Sequence, residues 1–192
     1  MDHRNLQKSE VPEWTHGDWV QIYVDRDPQD HENGFARIVE NWGIPGVAVI
    51  PIRGRSIGMV QLYRPPITRS MLEIPRGMGH SEDLRAEAVR ELQEETGLKI
   101  APDALIDLGA VFPNGGLLAT QIRLFAAVVP DTEAPTTPED VNEIDQFLWV
   151  PVEDLLGTIR ESSNDPHCTR DAITDVALLR ALLAGLLPAV GL

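Results

Sequence analysis

Apolar and polar positions divide the chain into short strand-like runs around one acidic helix. Trp19-Val20-Gln21-Ile22-Tyr23-Val24 is rich in strand formers and partly alternating, as is Phe35-Ala36-Arg37-Ile38-Val39-Glu40. The polar stretch 25–34 between them predicts a turn. The two runs then form a hairpin, free to pack against the main body or against a second copy of the chain. The run 46–53 is apolar almost throughout and predicts a buried strand. Arg53-Gly54-Arg55 predicts a turn, with 56–63 as the returning strand. Pro65-Pro66 breaks that strand, and 71–74 reads as a short one. The strongest helix signal covers 82–96. Glu82 and Asp83 in its first turn suit the positive end of the helix dipole, and Gly97 fits a C-terminal cap.

Strands are expected again at 105–111, 117–129 and 144–150, with a polar loop at 130–143. Helices at 152–161 and 171–187 close the chain. In the second of these, Ile173, Val176, Ala177, Leu179, Ala181 and Leu183 lie mostly on one side, a pattern of core or subunit contact. This order predicts an α/β/α sandwich with a mixed sheet rather than a doubly wound parallel sheet. Residues 1–17 are polar and read as a loose lead-in. The strands within 1–44 form an N-terminal element, and 45–192 form the main domain with its C-terminal helix.

Composition narrows the function. The 192 residues carry 16 Lys+Arg against 30 Asp+Glu, a net charge of -14. Such a balance argues against sequence-independent nucleic-acid binding and against an anionic membrane face. An anionic small molecule remains compatible if a metal cation mediates. Cys168 is the single cysteine, so no intramolecular disulfide forms. The segment 172–190 is interrupted by Asp175, Arg180 and Pro188 and reads as amphipathic, not as a membrane span. Met1-Asp2-His3-Arg4-Asn5 has no apolar run behind it and does not read as a secretory signal. The expectation is a soluble, cytoplasmic protein.

The acidic helix carries the chemistry. At one residue per 100°, Glu87, Glu91, Glu94 and Glu95 fall in one sector about 100° wide, beside an apolar sector of Leu84, Ala88, Val89 and Leu92. Like charges four residues apart repel by roughly 0.2–0.5 kcal/mol per pair. A divalent cation removes that conflict, because Mg²⁺ joins carboxylates to substrate phosphates. A solvated acidic helix face is the alternative. The flanking Gly77, Arg90 and Gly97 favour the cation.

From Glu82 onward the segment resembles the Nudix box: seven residues, then Arg90-Glu91-Leu92-Gln93-Glu94-Glu95-Thr96-Gly97-Leu98. It departs from the pattern in one place. Four residues separate Gly77 from Glu82 where the pattern has five, so strict counting puts Arg76 in the glycine position. A one-residue deletion restores Gly77 to that role within Glu73-Ile74-Pro75-Arg76-Gly77. The resemblance implies hydrolysis of a nucleoside diphosphate linked to another group. By the same resemblance Glu91, Glu94 and Glu95 hold Mg²⁺ or Mn²⁺, Arg90 orients a glutamate, and Glu82 supports the structure. Gly77 supplies a backbone contact.

Three further features resemble the ADP-ribose pyrophosphatase branch of the family. Pro113 stands 15 residues beyond Leu98, in Phe112-Pro113-Asn114-Gly115-Gly116. Leu62-Tyr63-Arg64-Pro65-Pro66 resembles the branch's Gln-Tyr-Arg-Pro segment, with Leu62 in place of the glutamine. Arg64 there suits two-pronged contact with phosphate. The N-terminal strands resemble the branch's dimerisation element, which implies a homodimer. Trp14, Trp19, Tyr23 and Trp42 are candidates to stack on a base. The general base is expected in the loop 130–143, with Glu143 first, Glu139 second, and Glu133 and Asp140 also present. The alternatives are a Nudix hydrolase of another dinucleotide or of a nucleoside triphosphate, or a nucleotide sensor that does not hydrolyse.

Overall fold

A computed structural model describes residues 6–17, 19–136, 143–161 and 170–187. Strand β4 (Gly46–Arg53) lies at its centre. Alternate side chains of a strand point to opposite faces, so an unbroken apolar run requires cover on both sides. Val47 and Val49 face one layer, with Ala88, Leu92 and Phe125. Ala48, Ile50 and Ile52 face the other, with Ile173, Ala177 and Leu178.

The first layer is α1 (Leu84–Thr96) and the second contains α2 (Val152–Glu161) and α3 (Ala172–Leu183). The sheet between them also holds β5 (Ser56–Arg64), β8 (Ile106–Val111), β9 (Ile122–Val128) and β10 (Ile144–Pro151), in the order β10-β5-β4-β9-β8. Strand β4 runs parallel to β9, and the other neighbours on this path are antiparallel, so the sheet is mixed. Two short strands lie off that path. β6 (Arg69–Glu73) pairs with β5, and β7 (Arg76–Met78) pairs with the first residues of β4. The α/β/α sandwich expected from the element order is the fold observed.

A separate three-stranded sheet precedes it: β1 (Trp14–His16), β2 (Val20–Asp27) and β3 (Asp30–Glu40), in that order. The expected hairpin is β2–β3, but the lead-in is more ordered than its polarity suggests. Trp14–His16 pairs with β2, and Gln7 bridges to Arg26. This sheet meets the main body through Ile38, whose N–H donates to the Leu117 carbonyl at 2.9 Å and whose carbonyl accepts from Ala119 at 2.9 Å.

That contact explains another difference. The strand expected over 117–129 begins only at Ile122, because Leu117 and Ala119 spend their backbone groups on β3. Helix α1 begins at Leu84 rather than at residue 82, since Asp83 is its N-cap, accepting from Ala86 N at 3.1 Å. Gly97 ends it in the left-handed conformation, φ 71°, where the absence of a Cβ removes the steric penalty. Helix α3 covers less than the expected 171–187, with Asp171 as its N-cap. Among the described residues no helix is long and apolar enough to cross a membrane. Cys168 lies outside the described residues.

A candidate catalytic site on the acidic helix

Helix α1 presents its carboxylates to β7, and each residue of that short strand touches the helix. The Arg76 N–H donates to Glu95 Oε2 at 3.0 Å. Gly77 lies so close to the Glu91 carboxyl group that a Cβ there would collide with it. The Met78 carbonyl accepts from Arg90 Nη2 at 3.3 Å. Gly77 therefore stands where a glycine is needed, despite the loop being one residue short.

Arg90 lies among three carboxylates. Its Nη2 is 2.6 Å from Glu91 Oε1 and 3.0 Å from Glu87 Oε2, and its Nη1 is 2.6 Å from Glu94 Oε2. Glu87 also accepts from Ser81 Oγ at 2.9 Å. Burial pushes the Glu87 carboxyl up, but the His80 backbone N–H, Ser81 and Arg90 outweigh it and hold the group below the ordinary carboxylate range. Glu91 moves the other way. Its burial, together with the charge of Glu94, outweighs Arg90 and raises it. Glu95 is affected most: burial and the neighbouring Glu91 push its carboxyl up to about 8, against the stabilising N–H of Arg76. Two buried carboxylates with raised pKa values mark a place where negative charge is held at a cost.

Among the described residues, no three carboxylate, imidazole or thiol groups already surround one point as a metal cage. Positive charge at the cluster comes instead from the Arg90 guanidinium, which contacts both Glu91 and Glu94. The donors are all oxygen, the preference of a hard divalent ion, and the missing side chain at Gly77 lets the Glu91 carboxyl group lie against its backbone. Glu91, Glu94 and Glu95 are the residues that could hold such an ion. Glu82 is exposed, and its described contact is a carbonyl accepting from Leu84 N at 3.0 Å.

The other expected residues are placed less uniformly. Arg64 does not project freely. Its Nε and Nη2 bind the two oxygens of Glu73 at 3.1 and 2.7 Å. Glu73 is almost fully buried, and the sequence reading assigned it no role. The signal was a carboxylate flanked by Leu72 and Ile74 in a strand, which needs a partner if buried. Leu62 is core, at 3% exposure, consistent with its replacing a polar residue. Pro113 lies exposed in the turn between β8 and β9. Glu143 is exposed just before β10, whose first residue Ile144 pairs with Leu62. Glu133 accepts from Lys99 N at 3.1 Å. Glu139 and Asp140 lie outside the described residues.

Of the candidate aromatics, Trp14 stacks on His16 with ring centroids 5.9 Å apart, and Tyr23 has Arg37 over its ring at 4.4 Å. Trp19 and Trp42 are exposed. Trp42 holds a left-handed backbone, φ 57°, and the preceding Asn41 donates from Nδ2 to the Gly79 carbonyl at 2.5 Å.

A NUDIX domain model matches residues 43–171. The chain belongs to the NUDIX domain family. Relatives extend the match. An ADP-ribose pyrophosphatase of Bacillus subtilis is 28% identical over 96% of this chain and 97% of its own length. A methanol dehydrogenase activator of Bacillus methanolicus is 52% identical over 72% of this chain and 75% of its own length. An ADP-sugar pyrophosphatase of Mus musculus is 29% identical over 66% of this chain and 62% of its own length. The resemblance read from 82–98 is thus a family relationship. Nudix hydrolases generally use divalent metals.

Proposed function

We propose that this Nudix hydrolase cleaves the pyrophosphate bond of ADP-ribose or a related nucleoside diphosphate sugar, with Mg²⁺ or Mn²⁺, giving a nucleoside monophosphate and a sugar phosphate. The observation that carries the reading is the packing of β7 on α1, which sets Gly77, Glu91 and Glu95 together at one buried edge. The near full-length likeness to an ADP-ribose pyrophosphatase supports the substrate class.

A bound divalent ion screens the anhydride charge and lowers the pKa of an attacking water. The chain's own residues do the rest. Glu91, Glu94 and Glu95 offer the carboxylates that hold the ion. Arg90 orients Glu91 and Glu94 from within the cluster. Gly77, which carries no side chain, lets the Glu91 carboxylate approach its backbone, and that backbone supplies a contact at the site. Arg64 binds Glu73 through Nε and Nη2, and its Nη1 is the donor this reading assigns to a phosphate oxygen. Glu143, just before β10, accepts the proton of the attacking water. Pro113, exposed in the β8–β9 turn, is a substrate-binding residue in this reading.

The N-terminal strands within 1–44 form a self-association element in this reading, and 45–192 the hydrolase domain. Exposed Trp14 and Trp19 support it. Light scattering on the purified chain, which should report a dimer, tests it.

A screen of nucleotide sugars, dinucleotides and triphosphates with each metal, with both products identified, tests the activity. The strongest turnover is expected with ADP-ribose or another nucleoside diphosphate sugar. Strong turnover of a triphosphate or dinucleotide, without that of ADP-ribose, would replace the substrate. Tight binding with no product would make the chain a sensor. A second reading is favoured by the 52% identical relative: activation of a methanol dehydrogenase. It is kept if adding this chain raises the rate of such a dehydrogenase, and dropped if the rate is unchanged.

A further inference from the structure

The carboxylates of α1 depend on β7, but β7 has only three residues and cannot hold itself in place. Its pairing with β4 covers Gly46, Val47 and Ala48 alone. Beyond its contacts with α1, the segment that leads into it is also held by the start of α3, far away in the sequence. The Ile74 N–H donates to Thr174 Oγ1 at 3.1 Å, and Thr174 is 2% exposed. The Arg76 side chain divides its contacts. Its Nε and Nη2 each lie 2.8 Å from Glu73 Oε2, and Nη2 also lies 3.2 Å from Asp171 Oδ2.

Asp171 uses its two oxygens for two tasks. Oδ1 caps α3, accepting from Thr174 N at 2.9 Å. Oδ2 faces Arg76. The same Arg76 donates its backbone N–H to Glu95. A continuous chain of contacts therefore runs from the N-cap of α3, through Arg76, to a carboxylate of the acidic helix.

We infer that Asp171 is a positioning residue for the metal site: it fixes Arg76, and through the Arg76 backbone it fixes Glu95 at the geometry that receives the cation. The inference rests on the metal reading given above. Asp171 itself touches neither substrate nor ion. Residues that orient metal ligands from behind typically change metal affinity by about 10–100-fold when altered.

The two tasks of Asp171 are separable. Asparagine caps a helix about as well as aspartate. Asp171→Asn thus keeps an oxygen for Thr174 N and removes the charge from Arg76. The test is Mn²⁺ binding by calorimetry, on the full chain, beside thermal melts without metal. The Asp171→Asn variant is expected to melt within a few degrees of the wild type and to bind Mn²⁺ about 10-fold more weakly. Arg76→Gln removes the same contact from the other side, along with the contacts to Glu73, and it should weaken binding by at least as much. The double variant should then be no weaker than Arg76→Gln alone, because both changes cut one path.

Wild-type affinity for Mn²⁺ in a folded Asp171→Asn variant would overturn the inference, as would losses that multiply in the double variant. Should Asp171→Asn not fold, additivity cannot be read. The decision then passes to Asp171→Ser, which keeps a capping oxygen and removes the charge from Arg76. At least a ~10-fold loss of Mn²⁺ affinity in Asp171→Ser supports the inference, and wild-type affinity overturns it. A wild type that binds no Mn²⁺ would overturn the metal reading itself, and the positioning role with it.

Discussion

The α-carbon of Gly77 lies directly against the carboxyl group of Glu91, so β7 and α1 meet with no side chain between them. Any larger residue must displace the carboxylate or the strand. Gly77→Ala is expected to cost about 1–3 kcal/mol of stability, as overpacking does. Activity should fall by tenfold or more, on the order of 1.4 kcal/mol in the barrier. Thermal melts and steady-state rates on the same preparation check both.

Glu94→Gln and Glu95→Gln are expected to reduce turnover by ~10³-fold or more, equivalent to about 4 kcal/mol, while leaving the circular dichroism unchanged. The two should differ in stability. Burial pushes the Glu95 carboxyl up to about 8, so the fold disfavours an ionisation that the unfolded chain makes freely, and a neutral amide removes that cost. Metal-free Glu95→Gln should therefore melt no lower than the wild type, as read by calorimetric scans. Near-normal rates in either variant would remove these carboxylates from the reaction.

The acid side of the stability curve should carry the signature of Glu73. Burial raises its carboxyl, but the hydrogen bond from Arg64 and the charges of Arg76 and Arg64 outweigh that and hold it below its ordinary 4.5. A depressed carboxylate stabilises the fold above the unfolded value, and that contribution disappears as pH falls through the folded one. Glu73→Gln should cost about 3 kcal/mol at pH 7, because it leaves Arg64 and Arg76 without their counter-charge. The gap to the wild type should shrink as pH drops below 4.5. Denaturant titrations at several pH values measure it; a gap independent of pH would contradict the assignment.

Arg64→Ala removes a phosphate contact and a partner of Glu73 together. Its KM for ADP-ribose should rise about tenfold, and its melting temperature should fall. An unchanged KM with a lowered melting temperature would leave Arg64 as a structural partner of Glu73 only.

Much of this was legible in the chain because the signals were local. The helix of the site announced itself through glutamates in one sector, with an acidic first turn and Gly97 at its end. The apolar run of β4 required cover on both faces, and it has it. The misses share a cause, which is distance along the chain. β7 holds an arginine, a glycine and a methionine, with no strand pattern of its own, and exists because Gly46–Ala48 supplies its hydrogen bonds. Leu117 reads as strand but serves β3 instead. Arg64 was read for its free charge, and the buried Glu73 that engages it could be found only once β5 and β6 were paired. No spacing rule could have joined Asp171 to Arg76.

The most direct test of the account is to follow ADP-ribose by phosphorus NMR with the wild type and Glu95→Gln, each with Mg²⁺ and with the metal chelated. Two monophosphate products should appear only with the wild type and metal together. Equal cleavage after chelation, or by the Glu95→Gln variant, would contradict it.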